Sequence, residues 1–286
     1  MMRCVESIKD LHDIVSKKND IAFVPTMGNL HAGHIKLIER AKSLSDNVVV
    51  SIFINRTQFN SKKDYDTYPK TILEDKNLLK MTIPKSIVFS PNEKDIFSYM
   101  PFKDYELPRL ANDLCGKHRP GHFNGVINIV NILFKLVQPK FAIFGKKDYQ
   151  QLILIKQFSE QNFPQTNIIG EETMRASNFL ALSSRNSLLK EKNKIKANEL
   201  FFALKSLIEM VKLNNNFKEG EENISSSLAN SGWDVEYISI RRQEDLLCPT
   251  SKDFKLVALA AAKLNNVRLI DNIESVSYTH LRAHET

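Results

Sequence analysis

The chain contains 286 residues, with 40 lysines and arginines against 33 aspartates and glutamates, giving a formal net charge of +7 at pH 7. Because 42% of the residues are hydrophobic and 26% are charged, the composition is that of a globular protein and excludes a disordered or fibrous chain. The basic residues neither form one block nor alternate with aromatics, so the charge alone does not indicate a nucleic-acid partner.

Three further sequence features bear on the cellular compartment. No apolar run reaches the roughly 20 residues that span a bilayer, and the charges within residues 1–10 argue against a secretory signal. The three cysteines, Cys4, Cys115 and Cys248, have no paired spacing and predict neither a disulfide framework nor a zinc site. We therefore expect a cytoplasmic protein.

Short apolar segments alternate with segments of helical periodicity in the first half of the chain. Strands are predicted at residues 21–25, 48–54, 86–89 and 141–144, and helices at residues 32–43, 70–81, 126–137 and about 148–161. This alternation predicts an α/β fold with a Rossmann-like, doubly wound parallel sheet. Ligands of such sheets bind at the carboxyl ends of the strands, so we expect the site there.

The pattern changes after about Gly170. One long amphipathic helix is predicted over residues 187–213, followed by a polar linker at residues 214–222. Strands are predicted at residues 234–240, 254–262 and 267–270. We therefore expect a first domain at residues 1–172 and a smaller C-terminal α+β domain at residues 173–275.

The sequence PTMGNLHAGH at residues 25–34 follows the first of these strands and opens a helix. Gly28 permits a left-handed turn and Gly33 a close approach of the backbone to a ligand, while a helix N-terminus attracts phosphate. His31 and His34, three residues apart, can both face one polyphosphate. Two surface histidines are the alternative, and a metal site has no evident third ligand. The joint pattern of strand, glycine turn, paired histidines and helix favours the phosphate site.

Two more motifs carry candidate ligands for an organic acid. In SIFINRTQF at residues 51–59, Gln58 can donate and accept hydrogen bonds to a small hydroxy acid, or be an ordinary polar loop residue. In RPGHFNGV at residues 119–126, Arg119 can meet a carboxylate or a phosphate. His122 of that motif either acts directly or packs at a helix start.

Two later motifs carry charge suited to phosphates. In FGKKDYQQL at residues 144–152, Lys147 suits a departing pyrophosphate and Asp148 suits a ribose hydroxyl, or Mg²⁺ through water. Gln151, one helical turn further on, could hold an organic acid opposite Gln58. In LSSRN at residues 182–186, serine N–H and hydroxyl groups with Arg185 are typical of a mobile phosphate clamp.

In this order the motifs resemble those of the pantoate–β-alanine ligase family, a narrower match than the H-x-G-H signature of the nucleotidyltransferase superfamily. Family counterparts also exist for YPKT at residues 68–71 with Asp75 and for RLIDNI at residues 268–273, so the resemblance runs from about residue 1 to residue 273. The departures are Arg56 for proline, Lys70 for arginine, Lys146 for glutamate, and Ala176 and Phe179 for the commoner glutamate and glycine.

The resemblance implies ATP-dependent condensation of (R)-pantoate with β-alanine to pantothenate, through a pantoyl-adenylate and with release of AMP and pyrophosphate, in the pathway to coenzyme A. It implies Mg²⁺ carried by ATP and not by dedicated protein ligands, a homodimer, and no nucleic-acid or membrane partner. Residues 1–172 would form the catalytic domain that binds ATP and pantoate. Residues 173–275 would close as a lid, hinged near Glu171.

The resemblance also implies roles for individual residues. The catalytic residues would be His34, His31, Lys147 and Arg185. ATP would be bound by these four together with Pro25, Met27, Gly28, Gly33, Gly145, Asp148, Met174, Leu182, Ser183 and Ser184. Pantoate or β-alanine would be bound by Gln58, Gln151, Asn55 and Arg119.

Two alternatives belong to other classes. Another H-x-G-H enzyme that transfers adenylyl groups or charges tRNA shares the core motif, but neither an anticodon-binding region nor a KMSKS loop is visible. A basic nucleic-acid-binding module would show affinity that falls steeply with salt. Residues 276–286 have no family counterpart and look like a translated sequencing adapter, so we predict a non-native tail, the alternative being a genuine variable tail.

Overall fold

Nine strands form two sheets within residues 2–214 and 216–276, the part of the chain that the computed structural model describes. Of the predicted tail, Val276 ends the last strand and residues 277–286 lie outside the described residues. The strands are β1 (Arg3–Val5), β2 (Ala22–Thr26), β3 (Val48–Ile52), β4 (Ile87–Phe89), β5 (Phe141–Gly145), β6 (Asn167–Glu171), β7 (Asp234–Arg242), β8 (Lys255–Leu264) and β9 (Val267–Val276).

Helices fill most of the connections between these strands. They are α1 (Ile8–Val15), α2 (Ala32–Leu44), α3 (Lys62–Asp66), α4 (Ile72–Thr82), α5 (Glu93–Tyr99), α6 (Cys115–His118), α7 (His122–Val137), α8 (Tyr149–Asn162), α9 (Glu191–Lys196), α10 (Glu199–Asn214) and α11 (Phe217–Asn230). Short 3-10 turns at Arg56–Gln58, Lys146–Asp148 and Ser184–Leu188 lie at predicted site motifs. No helix in the described part is both long enough and apolar enough to cross a membrane.

The first six strands form one parallel sheet in the order β1-β4-β3-β2-β5-β6. Every residue of β3 is buried, as expected for a parallel strand covered on both faces. One face packs in a core that includes Phe23 and Phe134, and the other packs in a core that includes Val24 and Ile38. The prediction of a doubly wound α/β sheet is confirmed.

The central strand β2 contains a proline, which is unusual inside a sheet because proline has no N–H to donate. Pro25 pairs in register with Ser51 of β3, but the ladder between β2 and β5 extends only over the pairs Ala22–Phe141 and Phe23–Ala142. The two strands therefore stop pairing before Pro25. The order of the strands also reverses between β2 and β5, and this is the point where ligands bind in doubly wound sheets.

The last three strands form an antiparallel sheet in the order β7-β8-β9. Its core is shared with α10 and α11 and includes Leu204, Leu228, Trp233 and Ala260. The predicted smaller α+β domain is confirmed as an architecture. β9 is longer than predicted, because its pairing with β8 continues to Val276.

Two expectations for this region were wrong. The single helix over residues 187–213 is a 3-10 turn followed by α9 and α10, since the main chain turns at residues 197–198. The Asn198 carbonyl then accepts from the N–H groups of Phe201 and Phe202, at the start of the new helix. The polar linker at residues 214–222 is largely the first half of α11. Asn216 caps that helix through the Glu219 N–H, and Gly220 and Ile224 are buried, so the polar residues are its outer face.

The described chain divides into two compact units. The first contains the described residues up to Met174 together with Leu182–Ser184. The second contains Arg175–Ala181 and the described residues from Arg185 onward. The chain thus passes between the units three times within a dozen residues, through the motif that contains the two serines.

Candidate active site

The loop after β2 has left-handed backbone at two successive residues, with φ of +78° at Gly28 and +50° at Asn29. Gly28 is required for a second reason, because a Cβ there would lie 2.9 Å from a carboxylate oxygen of Asp75. The Gly28 N–H donates to the Thr26 hydroxyl at 3.2 Å, and that hydroxyl donates to the Ser51 carbonyl at 2.7 Å. The predicted left-handed glycine turn is confirmed.

Asp75 of α4 holds this loop through hydrogen bonds to its main chain. Its carboxylate accepts hydrogen bonds from the Asn29 N–H at 2.9 Å, the Leu30 N–H at 2.7 Å and the Thr71 hydroxyl at 3.2 Å, and the residue is buried. Asp75 has a family counterpart in the sequence, but the local sequence pattern predicts no role for it. The signal that could have found it is an acidic residue in the first turn of a helix near a loop rich in unpaired N–H groups.

His31 and His34 cap the start of α2 with their side chains. The Nδ1 atom of His31 accepts from the Gly33 N–H at 3.1 Å, and the Nδ1 atom of His34 accepts from the His31 N–H at 3.3 Å. Because both Nδ1 atoms accept, neither carries a proton, and a neutral ring in this position has its proton on Nε2. Both Nε2 atoms are therefore fixed as hydrogen-bond donors.

The surroundings keep both imidazoles neutral. Burial, with the Lys147 ammonium as the next cause, lowers the pKa of His31 to about 4. Burial and then the neighbouring His31 lower the pKa of His34 to about 3. The ring centroids are 4.1 Å apart, and both residues are half-buried. The pair is therefore partly enclosed by the protein, which favours the phosphate site over two freely exposed histidines.

Gly33 is explained by the histidine cap. A Cβ at this position would lie 2.9–3.0 Å from the His31 ring, so only glycine leaves room for the imidazole to turn back on the helix start. The expectation that Gly33 lets the backbone approach a ligand closely stays a prediction. The same Cβ would lie 3.9 Å from the Leu182 side chain, which places Leu182 beside the loop.

Gln58 lies in the 3-10 turn after β3, and the hydrogen bonds of Asn55 hold this turn. Asn55 Nδ2 donates to Gln58 Oε1 at 2.9 Å and to the Gly125 carbonyl at 3.0 Å, while Asn55 Oδ1 accepts from the Thr57 N–H and hydroxyl. Both hydrogens of the Asn55 amide are therefore used within the protein. Gln58 Nε2 lies 3.0 Å from the sulfur of Met27, which brings the loops after β2 and β3 together.

Arg119 and His122 both contact the main chain of Gln58. The Arg119 guanidinium donates to the Gln58 carbonyl at 3.2 Å and to Asn60 Oδ1 at 3.0 Å, and His122 Nδ1 lies 2.8 Å from the same carbonyl. Arg119 therefore lies beside Gln58, the residue predicted to bind the organic acid, and is hydrogen-bonded to the main chain of Gln58.

The 3-10 turn after β5 carries Lys147 and Asp148. Lys147 is largely buried, with its Nζ 3.7 Å from an Asp148 carboxylate oxygen, and its charge acts on both site histidines. Gly145 is the last residue of β5. Lys146, which replaces the family's glutamate, forms an ion pair with Glu172 at 2.5 Å, so the departure is matched by a local acidic partner.

The two glutamines that open α8 have different environments. Gln150 is buried and bonds through its amide to the Leu110 carbonyl, the Asp113 carbonyl and the Cys115 N–H. Gln151 is only half-buried. Gln150 therefore belongs to the packing of the helix start, and Gln151 stays the candidate ligand.

The serines of the later motif lie at the loop after β2. Asn29 and Ser184 exchange two hydrogen bonds at 3.3 Å, from Asn29 Nδ2 to the Ser184 carbonyl and from the Ser184 hydroxyl to the Asn29 carbonyl. The Leu182 N–H donates to the Met174 carbonyl at 2.9 Å, and Ser183 lies between these anchors. Within the first unit, the structure thus brings the two serines of the LSSRN motif next to the PTMGNLHAGH motif.

The remaining residues of that motif belong to the second unit. Arg185, half-buried, opens its longer segment. Arg175 pairs with Asp271 through two hydrogen bonds at 2.7 and 2.9 Å, and its guanidinium lies over the Phe201 ring. Phe179, in place of the family's glycine, has φ of +71° and stacks on Phe201 at 5.1 Å. Stacking compensates for a backbone conformation that favours glycine.

The chain is similar to proteins of one family over nearly its whole length. A family model described as pantoate-beta-alanine ligase matches residues 2–274. The pantothenate synthetase of Neisseria meningitidis serogroup C is 43% identical over 275 residues, which cover 96% of this chain and 99% of the relative. The enzyme of the same name from Methylobacillus flagellatus is 44% identical over 275 residues, covering 96% and 98%.

Two solved structures have the same fold. The pantothenate synthetase of Thermus thermophilus superposes with a TM-score of 0.88 at 32% identity, covering 95% of this chain and 99% of that one. A pantoate-beta-alanine ligase of Francisella tularensis, complexed with beta-gamma ATP and beta-alanine, superposes with a TM-score of 0.77 at 35% identity, covering 96% and 97%.

Proposed function

Since the chain belongs to the pantoate–β-alanine ligase family, which condenses pantoate with β-alanine in an ATP-dependent reaction, we propose that its loops after β2, β3 and β5 each bind a different part of the substrates during adenylation. The chain is an ATP-binding ligase of pantothenate biosynthesis. A carboxylate is a poor electrophile, so one pantoate oxygen first attacks the α-phosphorus of ATP and the bond to the bridging oxygen of pyrophosphate breaks. The β-alanine amine then attacks the acyl carbon, loses a proton, and AMP leaves.

The histidine pair carries the proposal. Two neutral imidazoles whose Nε2–H groups are fixed by main-chain bonds to Nδ1 are donors that need no reorganisation when charge grows on an α-phosphate oxygen. Their lowered pKa values keep them in this form throughout the neutral range. We assign His34 and His31 to the α-phosphate as donors and not as general acids.

Charged and main-chain groups around this pair are assigned to the rest of the nucleotide. Lys147 and Arg185 would neutralise the leaving pyrophosphate, and the main chain at residues 27–28 and 183–184 would cradle the nucleotide. The two hydrogen bonds between Asn29 and Ser184 support this assignment, because they hold the two main-chain segments side by side. Pro25, Gly33, Gly145, Met174 and Leu182 would line the nucleotide site.

Mg²⁺ would come with the ATP phosphates. The described residues contain no group of three histidine, cysteine or acidic side chains placed to hold a metal ion, and the half-exposed Asp148 is a carboxylate beside Lys147. Oxygen ligands of this kind suit Mg²⁺ that keeps most of its waters and phosphate ligands. Asp148 would hold such a water or a ribose hydroxyl, and the ion would neutralise phosphate charge.

Gln58 and Gln151 are assigned to pantoate. The Gln58 amide is oriented by Asn55 and lies next to Met27 of the nucleotide loop, so a hydroxy acid bound there would have its carboxylate near the α-phosphate. Asn55 and Arg119, whose bonds run to Gln58 itself, would act on pantoate through that residue.

The test is the dependence of AMP and pyrophosphate release on each substrate. The purified chain should convert ATP continuously into AMP and pyrophosphate only when pantoate and β-alanine are both present, without RNA. Pantoate alone should support exchange of pyrophosphate into ATP. Gln58→Ala should raise the KM for pantoate at least ten-fold with little change in the KM for ATP. An unchanged pantoate KM would refute the role of Gln58, and exchange without pantoate would refute the substrate.

Three further expectations stay predictions. A homodimer, implied by the family resemblance, should show twice the chain mass in sedimentation equilibrium. A cytoplasmic site of action, expected from the sequence, is tested by fractionation. Closure of residues 173–275 as a lid should reduce the radius of gyration in solution scattering when ATP and pantoate are added.

A further inference from the structure

His122, the first residue of α7, is a buried histidine with no part in the adenylation scheme. Its Nδ1 lies 2.8 Å from the main-chain carbonyl of Gln58, and the residue is 7% exposed. A carbonyl oxygen only accepts hydrogen bonds, so this Nδ1 carries the proton and donates it.

Arg119 fixes the other side of the same ring. One guanidinium nitrogen lies 3.0 Å from His122 Nε2, and because a guanidinium only donates, Nε2 is the acceptor. The imidazole is therefore neutral, with its proton on Nδ1, the opposite tautomer from that of His31 and His34. A second guanidinium nitrogen of Arg119 donates to the Gln58 carbonyl at 3.2 Å, so that oxygen receives two donors.

The turn that carries Gln58 is packed closely against the same helix. A Cβ at Gly125, one turn along α7 from His122, would lie 2.4 Å from the Thr57 carbonyl oxygen and 2.8 Å from the Gln58 nitrogen. The Gly125 carbonyl also accepts from Asn55. The main chain of the turn is therefore held both by contact with α7 and by hydrogen bonds from Arg119 and His122.

We infer that His122 is a positioning residue for the organic acid: it holds the main chain of Gln58 so that the Gln58 amide faces pantoate. This inference rests on the proposed role of Gln58. Bond counting makes it testable, because the side-chain nitrogen of asparagine is as many bonds from Cα as histidine Nδ1. Asparagine can therefore keep the donor, whereas phenylalanine keeps the ring and removes it.

The experiment compares His122→Phe with His122→Asn by steady-state kinetics. His122→Phe should raise the KM for pantoate about ten-fold and leave the KM for ATP within about two-fold, because a donor that orients the Gln58 turn is lost. His122→Asn should restore the pantoate KM to within about three-fold of the parent. His12→Phe, at an exposed position of α1, is the control for the substitution itself. Equal losses in His122→Phe and His122→Asn, or a change in ATP KM alone, would overturn the inference.

A double-mutant cycle with Gln58→Ala separates positioning from direct binding. If His122 acts through Gln58, His122→Phe adds no further increase in pantoate KM in the Gln58→Ala background. An undiminished increase there would overturn the inference. If Gln58→Ala alone leaves the pantoate KM unchanged, the proposed role of Gln58 fails. If Gln58→Ala raises it and His122→Phe does not, only the role of His122 fails.

Arg119 provides the same test should His122→Phe not fold. Arg119→Gln removes one of the two donors to the Gln58 carbonyl at a half-buried position, and about a three-fold increase in pantoate KM is expected. That increase should vanish in the Gln58→Ala background. An increase that persists there would mean that Arg119 meets the substrate directly, which would overturn the shared positioning role.

Discussion

Each unit of the molecule contains a half-buried or buried carboxylate that accepts at least one hydrogen bond from a main-chain N–H group, and the two carboxylates hold different kinds of backbone. Asp75 in the first unit bonds to the N–H groups of Asn29 and Leu30, in the irregular loop that precedes the histidine pair. Glu221 of α11 in the second unit bonds to the Ile240 N–H at 2.6 Å and to the Ser239 hydroxyl at 3.3 Å, on the edge strand β7.

We expect the same local chemistry to have a functional consequence only where the main chain that it holds carries the proposed site. Unpaired N–H groups occur in a left-handed loop and along a sheet edge for the same reason, namely that no neighbouring strand accepts them. We therefore expect changes in the first unit to alter kinetics and matched changes in the second unit to alter stability.

The largest effect is expected at the histidine pair. His34→Ala removes a fixed Nε2–H donor and should lower the rate of adenylation by about 10²-fold or more while the protein stays folded. Pyrophosphate exchange measures the rate, and circular dichroism checks the fold. A rate close to that of the parent would remove His34 from the mechanism.

The next effect is expected at Asp75. Asp75→Asn turns one acceptor oxygen into a donor that faces main-chain N–H groups or the Thr71 hydroxyl, so the loop after β2 should shift. We expect kcat/KM for ATP to fall by about ten-fold or more. Glu74→Gln, at an exposed position of the same helix, is the matched control. Kinetics equal to those of the control would show that the loop keeps its shape without this carboxylate.

Glu221→Ala should affect stability and spare catalysis. Loss of the carboxylate leaves the Ile240 N–H without this acceptor, and the free energy of unfolding should fall by about 1–3 kcal/mol. Urea unfolding at pH 7 measures it, and Glu221→Gln, which keeps an acceptor oxygen, should lose less. A large fall in kcat under conditions where the variant is fully folded would contradict the expectation that Glu221, unlike Asp75, affects only stability.

The last prediction concerns protonation, and its effect on kinetics in the neutral pH range is the smallest. The pKa values of His31 and His34 are lowered from 6.5 to about 4 and about 3, so the unfolded state binds more protons below about pH 6.5. The stability linked to the neutral rings is therefore present above pH 6.5 and is lost as the pH falls toward 4 and 3. Long-range ¹H–¹⁵N spectra should show Nε2–H tautomers from pH 8 to pH 5. Titration of either ring near pH 6.5 would contradict the assignment of a neutral pair.

Much of the fold and part of the site follow from local patterns. The β-branched run of β3 and the glycine turn at Gly28 were predicted because strand burial and left-handed backbone depend on the residues themselves. The break at residues 197–198 and the helix at Phe217–Asn230 were missed, because the first interrupts a continuous apolar period and the second is mostly polar outside. The signal that predicts the second helix is Asn216, whose side chain caps it.

The sequence by itself determined the parallel α/β sheet, the positions of the motifs along the chain and the family, since these depend on periodicity and residue identity. Only the tertiary structure decided which side chains are hydrogen-bonded to which parts of the main chain. Asp75, Asn29 and Ser184 meet although they lie 46 and 155 positions apart, and His122 reaches the carbonyl of Gln58 across 64. Hydrogen-bond partners and histidine tautomers depend on distances through space, and those exist only once the strands are paired and the helices packed.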